Sequence, residues 1–365
     1  MNIFNYLESK FTSILVKLVG QGLLPENLDT TRIVFELPRN NSHGDLATNA
    51  AMILAKQAQK SPSDLAAKFA AEFTQIEGVT EVEIAGPGFI NLRVLPVLWA
   101  CQIDEIVKLD DQYGRSQIGA GKHINIEFVS ANPTGPLHAA HARGAVIGDA
   151  LAGLLEFCSW DVTREYYIND AGGQVDLLAR SAYLRYCEAL GQDIGDIPSG
   201  LYPGDYLVDV GKAMAKEVGT RYLDRPEVEW LDDFREFSTQ SIMDVIKQDL
   251  VALGINMDVF SSERSLVESG AVQHAVDQLQ AAGHLYTGVL APPKGKEPED
   301  WEPREQLLFK ASEFGDDTDR PLQKSDGSWT YFATDVAYHL NKLERTKGQL
   351  INIFGADHGG YVKRM

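Results

Sequence analysis

Apolar residues recur at three- and four-residue spacing through Ile3, Leu7, Phe11, Ile14, Leu15 and Leu18, which predicts an amphipathic helix over residues 3–19. A short apolar run at 33–37 reads as a strand that Pro38 ends. Asp45 stands where it would cap a helix over about 46–59, and Ser61-Pro62-Ser63-Asp64 starts another with Leu65, Phe69 and Phe73 inward. Residues 79–84 and 89–94 flank Ala85-Gly86-Pro87-Gly88 and read as a hairpin. Together these form a small α+β domain over 1–112, followed by a linker rich in Gly and polar residues at 110–122.

Past the linker the pattern changes. Ile124, Ile126 and Phe128 alternate as in a strand, Ser130 to Pro136 is a turn no helix crosses, and a helical apolar period begins at Leu137. A second strand at 162–168, a turn at Asn169-Asp170-Ala171-Gly172-Gly173 and a helix over 174–189 repeat the scheme. Strand–helix–strand–helix in so short a stretch implies a right-handed parallel crossover. A Gly/Pro/Asp-rich loop at 191–204 leads into helical segments at 206–218 and 237–253, a short strand at 259–260 and a helix at 268–282. A strand-like run at 285–290, a surface loop at 291–303, and short strands at 306–310 and 329–332 follow. A helix over 335–345 and a buried strand over 349–354 complete the series. The expected fold is α/β: a doubly wound parallel sheet over 120–190 and 296–365, with a mainly helical insertion at 191–295. A parallel strand at 349–354 calls for a covering helix, so a chain ending at Met365 reads as part of a longer fold.

Charge and cysteine content narrow the picture. Lys and Arg number 33 against 52 Asp and Glu, a net charge of −19, which disfavours holding nucleic acid by bulk charge. Cys101, Cys158 and Cys187 are scattered and match neither a disulfide framework nor zinc spacing, as in a reducing compartment. The amphipathic N-terminus carries Glu8 and lacks the basic region of a signal peptide, and no apolar run reaches membrane-spanning length. The expected setting is the cytoplasm, without a membrane partner, as a monomer.

A helix that starts at the carboxyl edge of a sheet offers backbone N–H groups and a positive dipole end to an anion. His138 and His141 stand at that edge three residues apart, so they suit a phosphate; by themselves they are equally a helix cap with two structural histidines. Zinc is a poor fit, because neither the spacing nor a nearby third ligand is right. Glu127, Ser130 and Asn132 end the first strand, Tyr331 and Asp335 lie four apart at a helix start, and Asp357-His358-Gly359-Gly360 follows the last strand. Taken singly, each has a bland reading: a solvated carboxylate, an N-cap at Thr334 or Asp335, a glycine turn. Three polar clusters from distant sequence at one sheet edge favour a shared crevice.

The stretch EFVSANPTGPLHAAHARGAVIGD at 127–149 closely resembles the first signature of arginyl-tRNA synthetases, which are class I aminoacyl-tRNA synthetases. YYINDAGGQV, SERSL, YFATDVAYH and FGADHGGYV resemble later blocks of that family in the same order, and SHGDLATNAA and IAGPGFINLRV its N-terminal domain. The resemblance covers essentially the whole chain. It implies a Rossmann-like catalytic domain that activates L-arginine with ATP and Mg²⁺ and transfers it to tRNA(Arg). It implies that His138 and His141 stabilise the ATP phosphates, with Pro136, Gly144 and Gly355 also on the ATP side. Ser130 and Asn132 correspond to positions that hold the arginine α-amino and carboxylate groups. Glu127, Tyr331 and Asp335 correspond to guanidinium-binding positions, and Asp357 lies near the amino acid. Carboxylates suit a planar cation with five donors. The Asn41–Asp45 and Gly86–Asn91 segments would meet the outer corner of tRNA, and the helical insertion would guide its acceptor end. Two departures stand out: Ala140 replaces the glycine before the second signature histidine, and no KMSKS-like loop or anticodon-binding domain follows residue 330. The alternatives are a tRNA-binding chain without catalysis and a nucleotidyltransferase of the same superfamily.

Overall fold

The computed structural model describes residues 2–38, 40–290, 304–356, 359 and 362, and the chain divides into two compact units, Met1–Gly114 and Arg115–Met365. In the first unit, helix α1 (Ile3–Gly20) starts on Asn2, whose side chain accepts the Phe4 and Asn5 N–H groups. Strands β1 (Phe35–Glu36) and β2 (Leu46–Thr48) precede α2 (Ala50–Ala55) and α3 (Pro62–Phe73), the latter capped by Ser61. The expected hairpin forms as β3 (Val79–Ala85) and β4 (Phe89–Val94), and α4 (Pro96–Leu109) closes the unit. The sheet runs β1-β2-β4-β3, all antiparallel. Phe11, Phe35, Phe69 and Phe73 interlock beneath it, with Phe11 edge-on to Phe69 at 5.1 Å.

The helix expected over 46–59 forms only as α2 (Ala50–Ala55), and its first residues are a correction. Leu46, Ala47 and Thr48 pair with β4, and the Asp45 carboxylate accepts the Val94 N–H at 2.9 Å instead of capping a helix. The Asp45 N–H also donates to Leu92 O at 2.8 Å, so cross-strand pairing overrides the local helical pattern.

The second unit is built on strands β5 (His123–Glu127), β6 (Asp161–Ile168) and β7 (Val259–Ser262), joined near the chain end by one more. Helix α5 (Ala139–Phe157) connects β5 to β6. Between β6 and β7 lie α6 (Gly173–Ala189), α7 (Tyr206–Val218) and α8 (Leu231–Ala252), packed around Tyr186 and Phe234 with Tyr183 stacked on Trp230 at 3.9 Å. After β7 come α9 (Glu263–Glu268), α10 (Ala271–Ala281), β8 (Leu285–Gly288), β9 (Gln306–Phe309), β10 (Arg320–Gln323), α11 (Tyr331–Thr346) and β11 (Gln349–Asn352). The main sheet is parallel throughout, in the order β11-β5-β6-β7.

Two local features position the site. The chain leaves β5 for β6 on one side while β11 joins on the other, so the sheet order reverses at β5 and opens a crevice at its carboxyl end. Gly148 lets α5 lie directly on the sheet: a Cβ there would come within 2.2 Å of the Phe128 ring.

Strands β8, β9 and β10 do not join the parallel sheet; they form an antiparallel sheet of their own, in the order β10-β9-β8. The strand expected at 329–332 is a second correction. Trp329 makes only an isolated bridge to Gln323, and Thr330 caps α11 by accepting the Ala333 N–H, which brings Tyr331 into the helix. Among the described residues no helix is long and apolar enough to cross a membrane. The surface loop expected at 291–303 lies outside the described residues, as does Asp357.

Candidate active site

The register Asn352–Glu127–Glu165 brings the carboxyl ends of β11 and β5 level, while β6 runs on three residues further to Ile168 beside β7. Just past β5 the backbone is strained: Val129 has φ +68° and Ser130 φ +42°, and a β-branched residue rarely adopts the left-handed region. Neighbours hold the turn in place. The buried Tyr166 hydroxyl donates to Ala131 O at 2.8 Å, and Tyr206 donates to Thr134 O at 2.6 Å. The Ser130 hydroxyl is thereby set between two elements, accepting the Tyr167 N–H at 3.1 Å and donating to Glu127 Oε1 at 2.9 Å.

His138 is the N-cap of α5 and His141 lies in its first turn. Their rings stack, centroids 3.7 Å apart and 19° from parallel. His141 Nδ1 accepts the His138 N–H at 3.4 Å, so its proton resides on Nε2, a donor available to a ligand. Partial burial, and then the neighbouring His138, hold the His141 imidazole below its usual range. The first turn of a 19-residue helix thus presents imidazole donors at the positive end of its dipole.

Beside it, Asn132 and Tyr331 line a cleft of about 510 Å³ together with Asn169, Gln174 and the backbones of Gly172 and Gly173. Asn132 Nδ2 donates to Gln174 Oε1 at 2.8 Å, which ties the first turn to the second. The Tyr331 side chain is exposed at the helix start, so the cleft is open on that side.

Deeper in, carboxylates from four elements converge. Asp170 is fixed by hydrogen bonds from the Ser262 hydroxyl at 2.7 Å and the Arg264 N–H at 2.8 Å. Glu263, 5% exposed, is pushed up to about 7 by burial first and then by the charges of Asp335 and Asp170, against a hydrogen bond with Tyr167. The Tyr167 phenol is raised by burial and by the combined charge of Glu263, Asp335, Glu127 and Asp170. Such an acidic concentration with poor solvation favours an entering cation. Behind it, Glu165 is fully buried; hydrogen bonds from Ser261, Arg345 and Asn125 outweigh its desolvation and hold its carboxyl low.

The structure thus gathers Glu127, Ser130, Asn132, Tyr331 and Asp335 around one strand end. It also changes the expected surroundings of Glu127: Glu127 Oε2 already accepts from the buried Lys342 ammonium at 2.6 Å. Glu263, not singled out from sequence, takes a place in the acidic group. Its signal was present in Ser262-Glu263, a strand end and helix start at the same sheet edge. Pro136 and Ala140 are exposed at the α5 entrance, Gly144 is half-buried on α5 with open space beside it, and Gly355 is exposed after β11.

A family model described as "tRNA synthetases class I (R), catalytic domain" matches residues 102–358, and one described as "Arginyl tRNA synthetase N terminal domain" matches residues 5–94. The chain belongs to the arginyl-tRNA synthetase family. The arginine–tRNA ligases of Ruegeria sp. (strain TM1040) and Cereibacter sphaeroides (strain ATCC 17025 / ATH 2.4.3) are 54% and 55% identical over all 365 residues of this chain, which spans 63% of the length of each. A solved structure titled as a putative arginyl-tRNA synthetase from Campylobacter jejuni is 31% identical, with a TM-score of 0.64 over 74% of this chain and 56% of its own. The Plasmodium falciparum arginyl-tRNA synthetase structure is 15% identical with a TM-score of 0.61, covering 100% of this chain and 62% of its own, a likeness of fold. The class I catalytic match spans the parallel sheet, the strained turn after β5 and the start of α5 that carries the histidine pair.

Proposed function

We propose that this chain carries the arginine-activating centre of an arginine–tRNA ligase. The observation that carries the reading is the adjacency of two opposite environments at one sheet edge. One is the imidazole-bearing N-terminus of α5, suited to phosphate. The other is the acidic group of Glu263, Asp335 and Asp170 around Tyr167, suited to a guanidinium.

In this reading an arginine carboxylate oxygen attacks the α-phosphorus of ATP. The bond from that phosphorus to the β-phosphate oxygen breaks, and pyrophosphate leaves with the electron pair. Catalysis is mainly positioning and charge stabilisation. His141 Nε2–H and the N-terminal N–H groups of α5 donate to the phosphates as charge develops. Ser130 and Asn132 hold the amino-acid head group, while Glu263 and Asp335 hold the guanidinium with Tyr331 at the cleft mouth. Glu127 acts from behind, as the fixed partner of Ser130. Magnesium would arrive on the ATP phosphates as part of the substrate. A terminal ribose hydroxyl of tRNA(Arg) then attacks the arginyl carbonyl and releases AMP. The setting proposed is the cytoplasm.

Calorimetric titration tests the reading. L-arginine binds and L-lysine binds far more weakly, because a point charge cannot engage two carboxylates as a planar fork does. Equal affinity for the two would count against the guanidinium pocket. For catalysis, tRNA-dependent ATP–pyrophosphate exchange is expected to need the further length that the relatives carry, and exchange by this chain alone would refute that expectation.

A further inference from the structure

Lys342 is fully buried, and its ammonium bridges three elements of the site. It lies two helical turns beyond Asp335 on the same face of α11. Its Nζ donates to Glu127 Oε2 on β5 at 2.6 Å and to Asn352 Oδ1 on β11 at 2.5 Å, and lies 4.5 Å from the Tyr338 ring centroid. The connection continues from there. Asn352 spends its oxygen on Lys342, so its Nδ2 donates to His339 Nε2 at 2.7 Å. His339 Nδ1–H in turn donates to the carbonyl oxygen of Asp335 at 2.8 Å. Every donor and acceptor along this line is assigned without conflict: ammonium, amide oxygen, amide N–H, neutral imidazole, main-chain carbonyl.

A buried ion pair by itself is a poor source of stability, because desolvating both charges offsets their attraction. Here its geometry has a second consequence. We propose that Lys342 is a positioning residue for arginine recognition: it commits Glu127 to an internal partner and, through Asn352 and His339, holds the turn of α11 that carries Asp335. The proposal rests on the arginine-activation reading. With Glu127 neutralised from within, an incoming guanidinium is directed to Asp335 and Glu263. With the Asp335 turn tied to β11 and β5, the distance between those carboxylates and the amino-acid head-group site is set before substrate arrives, which lowers the cost of binding.

The experiment compares the unmodified chain with Lys342→Met, Asn352→Leu and the double variant. It reads L-arginine affinity by calorimetry and amide hydrogen exchange over 335–339. Asn352→Leu leaves the Glu127–Lys342 pair in place but cuts the line to Asp335, so it remains informative even if Lys342→Met folds poorly. The expected result is a loss of arginine affinity of about tenfold or more in Asn352→Leu, with faster exchange in that turn. The double variant should be no weaker than Lys342→Met alone, because both substitutions break one connection. Unchanged affinity and exchange in Asn352→Leu, or losses that simply add in the double variant, would overturn the proposal. If the unmodified chain binds no arginine, the activation reading fails, while the exchange comparison still decides whether Lys342 holds the Asp335 turn.

Discussion

The rings of His138 and His141 stack 3.7 Å apart at the first turn of α5, and the main chain of the first supports the Nδ1 of the second. Two imidazolium ions cannot comfortably share that spacing, and burial already holds His141 below its ordinary value of 6.5. A base with a depressed folded-state pKa contributes its full stability above 6.5, and that contribution is lost as pH falls through the folded value. Replacing His141 with Gln should therefore flatten the fall in Tm on the acid side of pH 6.5. The same variant should weaken ATP binding at pH 7.5, read by calorimetry. A Tm profile as steep as that of the unmodified chain would show that His141 is not the acid-sensitive group.

Glu263 carries the opposite sign. Its carboxyl is raised to about 7, so its contribution to the free protein's stability is present below the ordinary value of 4.5 and is lost as pH rises through 7. A bound guanidinium favours the ionised form. Arginine affinity should thus rise between pH 6 and pH 8, by at most about tenfold per pH unit, with proton release visible as a buffer-dependent binding enthalpy. Glu263→Gln should weaken binding and remove that pH dependence. Persistence of the dependence in the variant would assign it to another group.

Gly148 sets how closely α5 approaches the end of β5. A methyl at this position would meet the Phe128 ring at 2.2 Å, and Phe128 is fully buried. Gly148→Ala should cost about 1–3 kcal/mol in chemical denaturation despite its better helix propensity. It should also shift the histidine pair and weaken ATP binding. A variant as stable as the parent would mean that the helix can slide without loss.

Ala140 is exposed in the first turn of α5, between the two signature histidines. Removing its methyl should let a ligand approach that backbone more closely. Ala140→Gly is expected to tighten ATP binding while lowering stability by about 0.5–1 kcal/mol. Unchanged or weaker ATP affinity by calorimetry would dismiss the crowding argument.

Some of this was readable from the order of residues, and the reason is locality. The alternation at Ile124, Ile126 and Phe128, the break from Ser130 to Pro136 and the helical period after it all act within a few residues, and they place the histidine pair at a helix start. Ser61 before Pro62 and the Gly-Pro-Gly turn before Phe89 are likewise short-range instructions that the fold obeys. Other features depended on partners distant in sequence. Residues 46–48 carry a helical pattern but pair as a strand, because β4 offers them hydrogen bonds that the local chain could not reveal. Glu127 reads as a site carboxylate, yet its ammonium partner lies 215 residues away and becomes its neighbour only when α11 packs beside β5. Glu263 looks like an ordinary helix-start acid until burial beside Asp335 and Asp170 raises its carboxyl. Local sequence determined which segments become strands, turns and helices around the site. Tertiary packing decided which charges meet there, since desolvation and Coulomb interaction arise only between groups the fold has brought together.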